Sequence, residues 1–197
     1  MTLDRSPLGL LTEAAKSPAA LPPGNYIEVD LVYGERLYVT YRYDADEDPD
    51  NVRKVISGSI RAELDAWPCS GAFVVNSSGA DKGWGPLLYD VAMEYASIKG
   101  GGLAPDRDTV SGDAYKVWEY YLKSRPDVKK KQLDDTENYL TKDNRDNCGQ
   151  GAAIEAGEDE DREWFDKKNP LSKAYIKKPA KVIAQLKKLG KLRGKGL

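Results

Sequence analysis

The chain has 197 residues, a mass of 21.8 kDa and a formal net charge of −2, with 40% hydrophobic and 31% charged residues. This length allows one domain with a substantial core, and its 12 Tyr, 4 Trp and 2 Phe residues exclude a globally disordered chain. The sequence contains no histidine, which excludes Ser-His-Asp and Cys-His catalysis and zinc sites with histidine ligands. Proton transfer near neutral pH would therefore use a carboxylate, tyrosine, lysine, cysteine, water or chain end.

The first part of the chain predicts an arm followed by strands. Residues 1–25 contain a short apolar stretch, Pro18 and the run Leu21-Pro22-Pro23-Gly24, and they are predicted to be an N-terminal arm. In residues 26–32, 36–43 and 54–64, β-branched and aromatic residues alternate with polar ones. This alternation predicts strands of a half-buried antiparallel sheet. The turn Trp67-Pro68-Cys69-Ser70-Gly71 leads into a fourth strand-like run at 72–75.

The second part predicts helices. Pro86 suits the first position of a helix, and Gly100 to Gly102 end it. Ser111 is the predicted N-cap of a second helix, which carries Trp118 and Tyr121 on its apolar stripe. The domain core is expected to span residues 26–126. Residues 127–170 are predicted to be irregular and polar, and a basic helix at 180–189 is predicted to complete the domain within 127–197.

Charge is distributed unevenly along the sequence. Residues 171–197 hold nine Lys or Arg and no acid, which leaves 21 basic and 32 acidic residues in the first 170. Acidic clusters lie at 44–50 and 158–161. The basic tail could dock on the acidic body, remain a solvated helix face with a frayed end, or bind nucleic acid or another anionic surface. The sequence leaves these alternatives open.

The two cysteines, Cys69 and Cys148, are too few for a disulfide scaffold or a structural zinc site. No N-terminal run is apolar and long enough for a signal peptide, and no segment approaches the roughly 20 apolar residues that span a bilayer. We therefore expect a soluble, cytoplasmic protein with reduced thiols and no membrane partner. The oligomeric state is not predicted.

The segment with the clearest chemical content is the glycine-containing loop at 77–86, SSGADKGWGP, between a strand and a helix. Free backbone N–H groups at a helix N-terminus bind phosphate groups, and glycines allow the backbone to approach a ligand closely. Lys82 could add a positive charge. The loop lacks the Walker A spacing and the complete dinucleotide fingerprint. The alternative is a tight strand-to-helix turn without a ligand.

The order of four strands, GxG loop, helix and second helix resembles the GNAT acyltransferase superfamily over residues 26–125. That family's acetyl-CoA loop, [QR]xxGx[GA], matches 80–85 at both glycines, with Ala80 at the Gln/Arg position. The run LLYDVA at 87–92 resembles the family's LLxxA helix. SGDAYKVW at 111–118 resembles its Asn-x-x-Ala-x-x-[LF]-Tyr helix, with Ser111 for Asn and Trp118 for Tyr. The longer runs at 83–96 and 103–118 also resemble acetyltransferase-like proteins of tailed bacteriophages, which would imply the host cytoplasm or the virion as the location.

The resemblance implies an α+β fold with a mixed, mostly antiparallel sheet flanked by helices, in which the fourth strand splays from its neighbour. It implies direct acetyl transfer from acetyl-CoA to an amine on a small molecule or protein. The acetyl-CoA site implied by the resemblance comprises Val74, Val75, Asn76, Ala80, Asp81, Lys82, Gly83, Trp84, Gly85, Pro86 and Leu87.

Three further residues are catalytic candidates. The attacking amine must lose a proton, and Glu63 is the nearest carboxylate that could face the cleft, unless it is an exposed strand-end charge. Tyr120 and Tyr121 are candidates for protonating the CoA thiolate, unless they only pack in the core. Ala80 and Trp118, where the family has functional side chains, favour an alternative, a catalytically inactive GNAT-fold structural or interaction protein of a phage.

Overall fold

A computed structural model describes residues 16–51, 53–64, 68–135, 141–152 and 168–194. The predictions for residues 1–15, Trp67, 158–161 and 195–197 lie outside these ranges. Within them the elements, in chain order, are β1 Asn25–Val32, β2 Arg36–Tyr43, β3 Gly58–Leu64, β4 Phe73–Ala80, α1 Gly85–Lys99, β5 Leu103–Ala104, α2 Gly112–Ser124, β6 Lys129–Gln132, β7 Lys173–Ile176, α3 Lys181–Lys188 and β8 Leu192–Arg193. The prediction of an α+β protein with a mixed sheet is confirmed.

The strands form one curled sheet in the order β6-β7-β5-β4-β3-β2-β1-β8. Among the described strands, β4–β5 and β1–β8 are the parallel neighbours and the other neighbours are antiparallel. In β1 and β2 the apolar residues at alternate positions are fully buried, as Ile27 and Leu37 illustrate. The period-two pattern therefore identified the central strands because one face of each packs on the core.

The pairing of β4 with β5 is short. Phe73 pairs with Leu103 and Val74 with Ala104, after which β5 ends and β4 continues to Ala80. The register of β3 with β4 also shifts at this level, which makes Asn76 the extra residue of a β-bulge. The upper part of β4 therefore borders an opening in the sheet, because a bulge disrupts the ladder and bends the strand.

The helix boundaries agree well with the sequence predictions. Helix α1 begins at Gly85, and α2 has Ser111 as its N-cap, whose Oγ accepts a hydrogen bond from the Ala114 N–H at 3.3 Å. The prediction of an irregular 127–170 segment is wrong in part, because β6 lies there, and residues 136–140 and 153–167 of that segment lie outside the described ranges. Strands β5, β7 and β8 were also not predicted. They have two to four residues each, too few for an alternating pattern to be recognised.

Helix α1 is more deeply buried than an amphipathic stripe predicts. Eleven of its residues are buried, including Asp90 and Glu94. The Glu94 side chain is fully buried and forms an ion pair with Lys177 beyond the end of β7. Its carboxylate also accepts hydrogen bonds from the N–H groups of Val182 at 3.0 Å and Ile183 at 2.8 Å. Glu94 thus caps the N-terminus of α3, where the N-cap residue, Ala180, has no acceptor in its side chain.

The basic C-terminal region docks on the acidic body. In addition to the pairing of Lys177 with Glu94, Lys173 donates to Gln132 Oε1 at 2.6 Å. Arg193 pairs with Asp44 at 3.0 Å. The sequence left open whether the basic tail docks on the protein, stays solvated or binds an anionic partner. For Lys173, Lys177 and Arg193 the structure shows docking on the protein. No helix among the described residues is long and apolar enough to cross a membrane.

The two cysteines, which we expected to be reduced, form a disulfide between Cys69 and Cys148, 79 residues apart in sequence. Both are buried in a second, smaller apolar cluster with Ala72, Val74 and Leu133. Sequence spacing could not predict this pairing, because only the folded chain brings the turn before β4 next to the segment after residue 141.

Candidate functional site

A cleft of about 500 Å³ lies where β4, the loop after it, α1 and α2 meet. The cleft is lined by residues of the strand ends and of the loop, and by the facing side of α2. The lining residues used below are Ser78, Ala80, Asp81, Lys82, Gly83, Gly85, Pro86, Tyr89, Ser111, Ala114 and Lys116. The sequence-predicted glycine loop therefore forms one wall of this cleft.

The loop at 81–84 is fixed by contacts made on its far side. The Asp81 carboxylate accepts from the Ser57 N–H at 2.8 Å, and the Asp81 N–H donates to the Ser57 carbonyl at 2.9 Å. Gly83 has a φ of +80°, a left-handed conformation that suits glycine. The Trp84 ring is buried and packs edge-on against Tyr41, whose hydroxyl donates to the Trp84 carbonyl at 2.8 Å. The loop is thus held in place before any ligand binds.

The start of α1 offers hydrogen-bond donors to the cleft. Its N-cap residue, Trp84, makes no capping hydrogen bond with its side chain. The first N–H groups of a helix have no partner within the helix, and the helix dipole makes this end positive. Gly85 and Pro86 of this first turn line the cleft, and of these two Gly85 is the one with an N–H to donate, because proline has none. An anionic group is the ligand that such an end favours.

Two lysines border the same cleft from different elements. Lys82 lies on the loop, and Lys116 on α2 faces it across the cavity. Lys116 also pairs with the exposed Asp113 at 3.1 Å. An exposed pair of this kind contributes little energy, so Lys116 can exchange that contact for a ligand. The outer part of the cleft therefore carries two lysines together with two carboxylates, Asp81 and Asp113.

The cleft continues inward along β4. A chamber of about 140 Å³ shares Ser78, Tyr89, Ser111 and Ala114 with the cleft, and a recess of about 260 Å³ shares Asn76 with the chamber. Ala80 and Asn76 are four residues apart, which is about 13 Å along an extended strand. Because they share lining residues, the three cavities are neighbours, and they form a row along β4, from the glycine loop to the bulge, which we call the path.

Tyr89 is the functional candidate that sequence reasoning missed. It lines both the cleft and the chamber, and its hydroxyl lies 2.9 Å from Ser78 Oγ, with either group able to donate. Burial raises the pKa of Tyr89, and the hydrogen bond with Ser78 offsets part of that rise. The phenol is therefore protonated at neutral pH and can act as a donor. The sequence signal was its position one turn into the helix that follows the loop.

The two predicted catalytic tyrosines lie elsewhere. Tyr121 is fully buried, and its hydroxyl donates to Asp90 Oδ1 at 2.9 Å. Burial, followed by the charge of Asp90, raises the pKa of Tyr121. Tyr120 packs against the ring of Tyr121, with the centroids 5.5 Å apart. Neither residue lines the three cavities. Tyr121 is thus a core residue, which was the alternative role considered for it, and the half-buried Tyr120 packs against the same core.

The recess at the inner end of the path is lined by carboxylates. Glu63, Asp106 and Asp108 lie there with Val74 and Asn76. The recess therefore brings Glu63 together with the predicted residues of β4. Glu63 is 39% exposed and lies 3.8 Å from Arg36 and 3.7 Å from Arg61, so part of its charge is balanced on the sheet surface.

The other predicted cofactor-binding residues divide into two groups. Those that line the cleft, chamber or recess are Val74, Val75, Asn76, Ala80, Asp81, Lys82, Gly83, Gly85 and Pro86. Trp84 and Leu87 have their side chains in the main hydrophobic core instead. These two residues could meet a ligand only through their backbone, because their side chains anchor the loop and α1.

Comparison with known proteins returned no matching family model, no matching curated protein and no matching solved structure. Among the described residues, no group of three or more His, Cys, Asp or Glu is arranged to hold a metal ion. The functional assignment therefore depends on the geometry of the cleft.

Proposed function

We propose that the protein is an acetyl-CoA-dependent N-acetyltransferase with a GNAT-like fold. The observation that carries the proposal is the two-residue pairing of β4 with the parallel β5, beside a path along β4 that begins at a glycine loop and a helix N-terminus. The GNAT resemblance implied such a splayed pair and such a loop.

The outer cleft suits the phosphate end of CoA. The positive end of α1 and the two lysines, Lys82 and Lys116, favour a ligand with negative charge, while two carboxylates of the same lining, Asp81 and Asp113, offset part of this effect. The pantetheine arm is linear and carries amide groups, and the unpaired edge of β4 offers backbone groups along about 13 Å from Ala80 to Asn76. A thioester would then lie in the inner chamber, beside Tyr89.

The reaction we propose is direct transfer. The nitrogen of a neutral amine attacks the thioester carbonyl, so that a C–N bond forms and the C–S bond breaks. Tyr89 donates its phenolic proton to the departing thiolate, replacing Tyr120 and Tyr121 in this role. The nitrogen loses one proton to Glu63 or water, and Tyr89 is reprotonated from solvent through the open cleft. The products are the amide and CoA thiol.

The carboxylates of the recess favour a particular kind of acceptor. Glu63, Asp106 and Asp108 would attract an amine that carries further positive charge and enters from the side opposite the cofactor. An acetyl acceptor such as a polyamine or a lysine-rich peptide has this chemistry. An anionic amine would be repelled by the same walls.

The first experiment is calorimetry and thermal denaturation with acetyl-CoA, dephospho-CoA and pantetheine. A ligand at a hundred times its Kd stabilises a protein by about 2.7 kcal/mol, which is roughly 5–10 °C for a chain of this size. We expect acetyl-CoA to bind most tightly and pantetheine most weakly. No binding of any of the three would refute the proposed function.

The second experiment compares two tyrosine variants in a thiol-release assay with a panel of amines. Tyr89→Phe should lower kcat by about 10²–10⁴-fold, the usual contribution of a general acid, with little change in acetyl-CoA affinity. The matched control is Tyr121→Phe. It removes a buried hydrogen bond to Asp90 and costs about 1–2 kcal/mol of stability, but it should leave kcat unchanged. Equal kcat for Tyr89→Phe and wild type would remove Tyr89 from the mechanism.

The inactive-module alternative is supported by Ala80, which stands at the family's Gln/Arg position, and by Trp118. Trp118, at the family's tyrosine position, is 1% exposed and lines the inner chamber without an acidic proton to give. If wild type binds acetyl-CoA and turns over no amine in the panel, this alternative replaces the enzyme proposal.

A further inference from the structure

We propose that the Cys69–Cys148 disulfide is a redox-controlled clamp that fixes one wall of the inner chamber against the other. The disulfide joins the turn that starts β4 to the segment at 141–152. The effect of the disulfide on the mobility of the chain around the chamber is independent of the acetyltransferase proposal. Its effect on acetyl-CoA affinity rests on that proposal.

The first wall is β4 itself. Cys69 lies in the turn Cys69–Gly71, and the Ala72 N–H donates to the Cys69 carbonyl at 3.0 Å. Phe73 then begins the strand whose residues Val74 to Ser78 line the recess and chamber. Any displacement of the turn would therefore act directly on the base of this strand.

The second wall is the loop at 105–111 between β5 and α2. Its residues Asp106, Thr109, Val110 and Ser111 line the inner chamber. This loop contains Arg107, which is 5% exposed and directed into the protein. The wall is thus anchored through the one arginine at its centre.

The anchor of Arg107 is the chain directly after Cys148. Arg107 Nε donates to the Gly149 carbonyl at 2.7 Å, and the Ala152 N–H donates to the Arg107 carbonyl at 2.9 Å. A third bond runs from Arg107 NH2 to Gln150 Oε1 at 3.4 Å. The segment 149–152 therefore holds the loop on both its side-chain and its backbone groups, and the Leu171 carbonyl, which accepts from Arg107 NH2 at 2.7 Å, is a second anchor.

These contacts complete a closed connection: β4, Cys69, Cys148, residues 149–152, Arg107 and the loop. Other described connections between the walls are β5, which pairs with β4 over two residues, and the Cys69 N–H, which donates to the Asn147 carbonyl at 3.3 Å. Reduction by a dithiol converts the disulfide into two thiols while the dithiol becomes a disulfide, with two electrons and two protons transferred. The walls are then held by β5 and noncovalent contacts, and the wall at 105–111 becomes more mobile.

The test is hydrogen exchange measured by mass spectrometry on the oxidised full-length protein, the same protein reduced with a phosphine, and the variant Cys148→Ala. Denatured oxidised protein should show no free thiol with a thiol-reactive dye. On reduction, amides in 105–111 and 149–152 should exchange at least about tenfold faster, while those in β1, β2 and α1 remain unchanged. Lys131→Met is the matched control, because it removes the 2.5 Å contact of Lys131 with Ser70 in the same turn and leaves the disulfide intact.

Three results would overturn the clamp: two free thiols in the non-reduced protein, unchanged exchange at 105–111 after reduction, or equal acceleration in every element. If Cys148→Ala does not fold, the comparison of hydrogen exchange between oxidised and reduced wild-type protein decides whether the clamp exists. Acetyl-CoA titration supplies the second part of the test, with an expected affinity loss of about tenfold on reduction. If the oxidised protein does not bind acetyl-CoA, the proposed function fails, while the exchange data still judge the clamp.

Discussion

The buried ion pair between Glu94 and Lys177 offers the sharpest test of how this fold is held together. Glu94 is fully buried, and its two oxygens accept from Lys177 and from the first N–H groups of α3. In Glu94→Gln the side chain keeps its shape, but it loses its charge and one of its two acceptors. One end of the amide must then present N–H donors to the donors of α3 or Lys177.

The expected cost follows from that burial. Removing one partner of a buried, hydrogen-bonded pair costs about 3–5 kcal/mol, because the other charge remains buried without full compensation. Asp90, 3.8 Å from Lys177, retains part of that compensation. For a chain of this length the loss corresponds to a melting temperature lowered by roughly 6–20 °C. Such a change is a large share of the roughly 5–15 kcal/mol that stabilises a typical domain.

The assay is urea denaturation followed by circular dichroism, with two comparison variants. Glu119→Gln removes an exposed carboxylate that pairs with Lys123 on α2, and it should cost less than about 0.5 kcal/mol. Glu94→Gln combined with Lys177→Met should recover part of the loss, since the second change removes the stranded charge. If Glu94→Gln is as stable as Glu119→Gln, the pair does not hold α1 to α3 as described.

Two further predictions concern the loop and a buried acid. Gly85→Val should leave the melting temperature within about 2 °C, because nothing lies within 4 Å of an added Cβ, yet reduce acetyl-CoA affinity at least about tenfold by filling the cleft. Unchanged affinity in calorimetry would contradict this. Gly83→Val should also lose stability, since φ is +80° there, so its melting temperature should fall below that of Gly85→Val. Burial raises the pKa of Asp146, so the folded state holds this proton more tightly than the unfolded chain does. That contribution is present below about pH 4 and is lost as the pH rises through the folded-state pKa. The stability of Asp146→Asn relative to wild type should therefore increase from about pH 3.5 to pH 7 in urea titrations, and parallel pH curves would exclude the effect.

The sequence by itself determined the elements whose signals are local. Alternation over seven or eight residues identified β1, β2 and β3, because each has one face on the core and one toward solvent. Ser111 marked the start of α2, because a hydroxyl at the N-cap satisfies an N–H that the helix leaves free. The glycine loop was also identified correctly as the turn before α1. A turn of this kind needs a glycine with positive φ and a residue suited to the helix start, and both signals lie within a few residues.

The tertiary structure decided which residues meet. Tyr121 and Tyr89 both lie on predicted helices, and only the packing of α1 against α2 directs the first into the core and the second into the cleft. In the sequence, Lys177 is one of several basic residues of the C-terminal segment, and nothing distinguishes it from the others. In the structure its partner is Glu94, which lies 83 residues away in sequence. The same holds for Cys69 and Cys148. Long-range pairings of this kind leave no period or spacing in the sequence, because they depend on how separate elements are placed, and that placement is fixed by the shared burial of all of them at once.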